Sequence, residues 1–372
     1  MIRYIMTDKA KKALTVVGGG YGGLAIAGEL SLQGHDVKLF EFPEFAESIA
    51  PVRAAGGVNI TGQEVEPTGF APLPLITHTM AEATEGADVI FVVLPAFAHD
   101  RALSELVPTL SEGQHVVVCT GYWAGLKYGA AVASKGAILS ENAIFVYASR
   151  RVGPTEIFID GVKDEIPVAA FDPSMTPAVL KCLTEIYPQM KAASSTFETS
   201  LNSPNPMLHP AIAILNIGHI EMKKTDFSFY FAGVGSKVGA CIDAVDRERL
   251  AIAHALGVPN VVPLVEWMKR FYGRYGASGQ NTYEVIRSNS AYSQIEWDYP
   301  FVLRYIDEDV PFGLVPLSRL GDLLSVDTPT IDGLIDVACA LQDVDYWSIG
   351  TGAERMGLAG RTVEEIRQMI AG

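Results

Sequence analysis

The segment Thr15-Val16-Val17-Gly18-Gly19-Gly20-Tyr21-Gly22-Gly23 constrains the fold more than any other stretch, because an apolar run enters a G-x-G-x-x-G pattern. In that pattern Gly18 permits a tight turn, Gly20 lets a phosphate approach bare backbone, and Gly23 lets the following helix pack close to the strand. The context fits. Leu24 to Gln33 reads as a helix that Gly34 can close, and Asp36 to Phe40 reads as a second strand ending at Glu41. An acid there, eighteen residues past Gly23, is placed to accept from ribose hydroxyls and to repel a 2′-phosphate, so NAD(H) is expected and NADP(H) disfavoured. The competing reading is a glycine-rich turn with no ligand.

Strand and helix signals alternate through the first half. A Pro/Gly-punctuated stretch follows Glu41 and holds a short β-like run, Val58 to Thr61, with a further strand near Leu75 to Thr77. Met80 to Gly86 reads as helical, and Ala87 to Pro95 as an uninterrupted apolar strand of the kind that parallel sheets bury on both faces. Pro95 ends it where a nicotinamide or its ribose would lie. Helix is expected over Ala98 to Leu110 and Pro177 to Tyr187, and strand over Gln114 to Thr120, Ala143 to Tyr147 and Val168 to Phe171. From Pro206 onward strand-like runs become scarce and helical periodicity dominates. The expected fold is α/β: a Rossmann-type doubly wound sheet over residues 1–195 and a mostly α-helical substrate domain over residues 196–372.

Composition narrows the class of function. A net charge of −15 argues against nucleic acid or anionic membrane as partner, and no apolar stretch reaches the roughly 18 residues of a membrane span. The positive residues before Ala13 lead into no apolar segment, so no signal peptide is expected. Four scattered cysteines read as reduced thiols of a cytoplasmic protein, and seven scattered histidines show no metal-ligand spacing, so no metal is expected. A homodimer is compatible with all of this.

The chemistry is expected in the helical half. Asn202 to Pro210 is a dense segment feeding a helix, with His209 at or near its start. Pro210 suits the first helical position; alternatively the helix begins at Pro206 and Asn205 caps it, one turn before His209. His209 is then either a proton donor or a structural cap. A second segment, Tyr299 to Leu317, carries Arg304, Asp307, Glu308 and Asp309 in an otherwise apolar, proline-bounded stretch. A buried carboxylate there could orient an imidazole, and Arg304 could clamp a substrate carboxylate with two parallel hydrogen bonds, unless it is spent on an internal salt bridge.

These two segments, with Leu215-Asn216, Asp246-Arg247-Glu248-Arg249, and Gly313 to Leu317, resemble the octopine/nopaline (opine) dehydrogenases over nearly the whole chain. The resemblance implies NADH-dependent reductive coupling of an amino acid to a 2-oxo acid. It implies that His209 is catalytic with Asp309 as its carboxylate partner, that Arg304 binds substrate, and that Asn205 is a polar residue one turn before the histidine.

Other readings are a two-domain NAD(P)H reductase of 2-oxo or hydroxy acids with no amine substrate, an FAD-dependent amine oxidase, and an NAD-sensing module without turnover. The flavin reading lacks a second flavin-binding segment, and Leu320-Gly321-Asp322 is expected in a loop. His99 could face the cofactor or lie at the surface. His35, His78, His115, His219 and His254 read as surface or satisfied core residues, and Trp267, Tyr272 and Tyr275 as packing. Glu141-Asn142, at an expected strand start, could approach the nicotinamide.

Overall fold

The structure, a computed structural model, describes residues 11–62, 65–223, 227–293, 296–297 and 299–371. The chain divides into two compact units, Met1–Thr199 and Ser200–Gly372.

In the first unit the strands are β1 (Ala13–Val17), β2 (Asp36–Phe40), β3 (Gly57–Gly62), β4 (Gly69–Pro72), β5 (Leu75–Thr77), β6 (Val89–Val92), β7 (His115–Cys119), β8 (Ile138–Asn142), β9 (Tyr147–Gly153), β10 (Glu156–Val162), β11 (Ile166–Ala170) and β12 (Met190–Ala192). Eight of them form one sheet in the order β12-β11-β8-β7-β6-β1-β2-β5. All neighbours in it pair in parallel except β8 and β11. Its central strands are buried on both faces, which is why β6 and β7 carry continuous apolar runs. Register places Val17 opposite both Phe40 and Val92. The glycine loop, Glu41 and the segment up to Pro95 therefore leave the sheet at one carboxyl edge, at the point where strand order reverses.

The helices of this unit are α1 (Tyr21–Leu32), α2 (Ala46–Ala55), α3 (Met80–Thr84), α4 (His99–Leu106), α5 (Ala124–Ala133), α6 (Thr176–Leu183) and most of α7 (Thr196–Leu201), whose last two residues belong to the second unit. A second sheet, β4-β3-β10-β9, lies against α1. A side chain at Gly28 would meet the Ile60 side chain at 2.4 Å, so Gly28 is what lets α1 approach β3. Covered on both sides, α1 buries Gly23 through Leu30 without interruption. Its one buried carboxylate, Glu29, accepts from the Tyr147 hydroxyl of β9 at 2.7 Å.

Several sequence expectations move. Residues 143–146 are not a strand; β8 lies just before them and β9 begins at Tyr147. The polar half of β8, Ser140-Glu141-Asn142, is fully buried and disguises it. The Pro/Gly-punctuated stretch contains the helix α2 with Pro51 inside it, and β3 joins the smaller sheet.

The second unit holds α8 (Asn205–Lys223), α9 (Ser236–Leu256), α10 (Leu264–Tyr272), α11 (Thr282–Ser288), α12 (Tyr299–Asp309), α13 (Val315–Leu324), α14 (Pro329–Gln342), α15 (Tyr346–Ile349) and α16 (Val363–Ala371). A two-residue pairing joins β13 (Phe227–Ser228) to β14 (Glu296–Trp297). One turn of π-helix, Val310–Leu314, links α12 to α13 without a break. Leu320-Gly321-Asp322 consequently lies inside α13 rather than in a loop. Arg249 of α9 is fully buried: its guanidinium donates to Asp246 and to the carbonyls of Leu201 and Val262. That pair ties the approach to α8 onto the helical core.

Candidate active site

Helix α8 begins at Asn205, so neither start read from the sequence is quite right: Pro206 is its second residue and Pro210 lies inside it. His209 therefore sits in the second turn, beyond the part of a helix where the N-terminal dipole acts most strongly. Asn205, half-buried, opens the helix one turn earlier. The π turn presses on this start, since a side chain at Gly313 would stand 2.5 Å from the Pro206 ring.

The close approach brings α12 against α8 and sets Asp309 beside His209. The imidazole Nδ1 lies 2.8 Å from Asp309 Oδ2, with both residues buried. Tyr305, one turn before Asp309 on the same face, lies over the imidazole at a centroid distance of 3.9 Å and a tilt of 31°. Phe229 closes another side at 5.9 Å. The outer nitrogen, Nε2, lies 3.1 Å from the Tyr230 hydroxyl. A carboxylate at Nδ1 makes that nitrogen the protonated one, so in the neutral ring Tyr230 donates to Nε2. Burial, helped by nearby Tyr272 and Asp309, pushes the Tyr230 phenol well above its ordinary range and keeps it uncharged.

Arg304 shares α12 with this pair but is only partly buried, and its Nε lies 3.5 Å from Glu308 Oε2 one turn on. The internal ion pair weighed from the sequence is present, in a half-exposed setting where such pairs hold little energy.

At the carboxyl edge of the large sheet, Gly18 adopts a φ of +116° and donates to the Phe40 carbonyl at 2.9 Å. A side chain at Gly23 would meet the Gly18 carbonyl oxygen at 1.9 Å, whereas one at Gly20 would meet nothing within 4 Å. Gly20 is also the N-cap of α1 and supplies no side-chain cap. Open space at a helix start with bare backbone fits a pyrophosphate. Glu41 is buried: Oε2 accepts from the Gly19 N–H and Oε1 from the Phe42 N–H, each at 2.8 Å, so the carboxylate also shapes the glycine loop. Pro95, half-buried, precedes a 3₁₀ turn over Ala96–Ala98.

The remaining candidates resolve as follows. His99 is a core residue rather than a surface one; its Nε2 faces the Leu94 carbonyl at 3.1 Å, and burial drives its imidazole down to about 4. Glu141 and Asn142 end their strand rather than start it, and Glu141 accepts from the Gly125 N–H and the Thr199 hydroxyl, both at 2.7 Å. Trp267 packs on Phe271, but Tyr272 joins Tyr292, whose ring stacks flat on Tyr230 at 4.1 Å. Tyr230 and Phe229 escaped sequence reading; the aromatic run Phe227 to Phe231 was the available signal.

Residues 192–342 match the model of the NAD/NADP octopine/nopaline dehydrogenase α-helical domain. Over 363 residues the chain is 31% identical to the opine dehydrogenase of Arthrobacter sp. (strain 1C), covering 96% of this chain and 99% of that protein. The chain belongs to the opine dehydrogenase family. A more distant relative is the Ocs protein of Agrobacterium tumefaciens (strain Ach5), 23% identical over 96% of this chain and 99% of its own length. The fold has a solved counterpart in octopine dehydrogenase in complex with NADH and agmatine, at a TM-score of 0.79 and 20% identity over 96% of this chain and 98% of that one. Membership in the family sets aside the flavin amine oxidase reading and the NAD-sensing module, and favours an amine-coupling dehydrogenase over a reductase without an amine substrate.

Proposed function

We propose that this opine dehydrogenase condenses an amino acid with a 2-oxo acid and reduces the resulting imine with NADH, and runs the reverse oxidation. The buried His209–Asp309 pair is the observation that carries the catalytic part of the reading. Arg304 binds the 2-oxo acid carboxylate, exchanging its 3.5 Å ion pair with Glu308 for a two-pronged contact. His209 polarises the carbonyl and gives its Nε2 proton to the oxygen that leaves as water, while Asp309 balances the imidazolium. Asn205, one turn ahead of His209, contributes a polar contact to substrate. NADH, when bound, supplies the hydride that reduces the imine carbon. Gly18, Gly20 and Gly23 would hold its pyrophosphate at the start of α1, Glu41 its adenosine ribose, and the segment at Pro95 would border its nicotinamide end.

The relatives' names leave open which amino acid and oxo acid are used. The test is a matrix of amino acids and 2-oxo acids, followed by NADH absorbance and by mass spectrometry of the product. A secondary amine carrying both carbon skeletons is expected, with negligible turnover when the amine is omitted. Equal turnover without amine, giving a hydroxy acid, would establish the reductase reading instead. Free cysteines in all four positions accord with a cytoplasmic enzyme. Among the described residues no helix is long and apolar enough to cross a membrane.

A further inference from the structure

His209 has two nitrogens, and the reaction as proposed uses only one partner, Asp309, explicitly. The other nitrogen is the one that must trade a proton with substrate, and the structure gives it a neighbour that no sequence motif marks. Resting on the opine dehydrogenase reading above, we propose that Tyr230 is a positioning residue for the reaction: its hydroxyl holds the Nε2 edge of His209 and yields that nitrogen to the substrate oxygen as the imidazole gains and loses its proton.

The geometry supports this from three sides. Tyr230 Oη is 3.1 Å from Nε2, within hydrogen-bond range. Its ring is fixed by a flat stack on Tyr292, at 4.1 Å and 13°, and by an edge contact with Phe229 at 5.2 Å. Both tyrosines of the stack are nearly buried, at 7% and 5% exposure, so the hydroxyl has few alternative partners in water. Fixed at both ends, the imidazole cannot rotate about its ring axis away from the substrate.

Proton accounting shows what the hydroxyl can do. In the neutral ring Tyr230 O–H donates to the Nε2 lone pair. On protonation the hydroxyl turns and its oxygen accepts from Nε2–H until a substrate carbonyl oxygen competes for that hydrogen. The proton then passes from Nε2 to the oxygen that departs as water, and the vacated lone pair takes the Tyr230 hydrogen bond again. The phenol proton never leaves its own oxygen, in keeping with a phenol that burial keeps neutral. The titratable groups that face this pair are Asp309 and Tyr305 from α12, Tyr292, and Tyr272 from α10, with Arg304 and Glu308 on the neighbouring face of α12.

Tyr230→Phe removes one oxygen and keeps both ring contacts. Relative to the parent, kcat for reductive condensation is expected to fall about 2- to 10-fold, the span of one hydrogen bond, with NADH binding unchanged. Because a charge-assisted bond is the stronger of the two that are lost, the imidazolium suffers more than the neutral ring. The limb on which reductive activity falls with rising pH should therefore move to lower pH. Tyr292→Phe, which leaves the His209 contact intact, should keep the parental kcat and pH profile. The proposal is overturned if Tyr230→Phe retains both kcat and the pH limb, or if Tyr292→Phe reproduces its losses, which would make the effect one of packing. Activity is normalised to sites titrated with NADH, so a loss of Tyr230→Phe activity that disappears on normalisation reflects unfolding and also counts against it. His209→Asn, measured alongside, separates the two levels: near-parental activity there sinks the catalytic reading itself, whereas its inactivity with an unaffected Tyr230→Phe sinks only the role given to Tyr230.

Discussion

Arg304 and Asp309 lie five residues apart on α12 but face different neighbours, one half-exposed beside Glu308 and the other buried beside His209. Substitution should separate them. Arg304→Lys keeps the charge and loses the planar fork, so KM for the oxo acid should rise while kcat stays near the parent's. An unchanged KM would return Arg304 to a structural role beside Glu308. Asp309→Asn keeps an acceptor for Nδ1–H and removes the counter-charge, so kcat should fall, by about 10²- to 10⁴-fold if the full acid–base contribution is lost. Steady-state kinetics on the two variants reads both outcomes. The glycine loop offers a second contrast. Gly20→Ala adds a methyl where nothing stands within 4 Å, so the thermal midpoint should hold while NADH binding weakens. Gly23→Ala drives a methyl into the Gly18 carbonyl, so the loop itself must shift and the midpoint should drop. Equal NADH affinity in Gly20→Ala and the parent, by fluorescence titration, would place the pyrophosphate elsewhere.

The helices that carry the site owe their placement to one small residue. The α12–π–α13 rod meets the start of α8 where Gly313 faces Pro206, four residues after Asp309 and three before His209 in their respective helices. Pro311 cannot donate the α-helical bond expected of it, and the wider π turn accommodates the gap. Gly313→Val should push the two helices apart, lengthening the His209–Asp309 contact; kcat should fall with NADH affinity preserved, and the thermal midpoint should fall as well. A fully active Gly313→Val would mean that the pair is held by other contacts. The π turn itself was hidden, because proline at 311 and 316 bounds an apolar segment that sequence periodicity cannot assign to a continuous helix. Helix α1 illustrates the opposite case. Its existence and its glycine-rich entrance were legible, yet the second sheet that buries its far face depends on β3 pairing with β10 across a long separation in sequence.

For the molecule as a whole, charge and burial in the first unit make a prediction about acid. His99 is buried and its folded-state imidazole titrates near 4 instead of 6.5, chiefly through desolvation, with Lys127 adding to the effect. His115 behaves alike, with burial first and Lys12 second. A folded-state value below the unfolded one means that stability is full above about 6.5 and drains as pH falls toward 4. For His99 the loss is on the order of 3 kcal/mol. His99→Gln should flatten the fall of the thermal midpoint over that interval, read by circular dichroism; an unchanged slope would exclude His99 as a source. Local order was enough to reveal the dinucleotide loop, the central strands β1, β2, β6 and β7, and the helical second half, because each is written in contiguous residues whose spacing follows from strand and helix geometry. The resemblance to a family brought His209, Asp309 and Arg304 together before any coordinates did. What tertiary structure alone decided were contacts between residues far apart in the chain: the 2.8 Å approach of His209 to Asp309 across 100 residues, the Tyr230 hydroxyl on the other nitrogen, and the burial of Glu41 against the loop it supports. Such contacts depend on where a small residue lets two helices close or a carboxylate finds a backbone N–H, and periodicity along one chain carries no record of the partner.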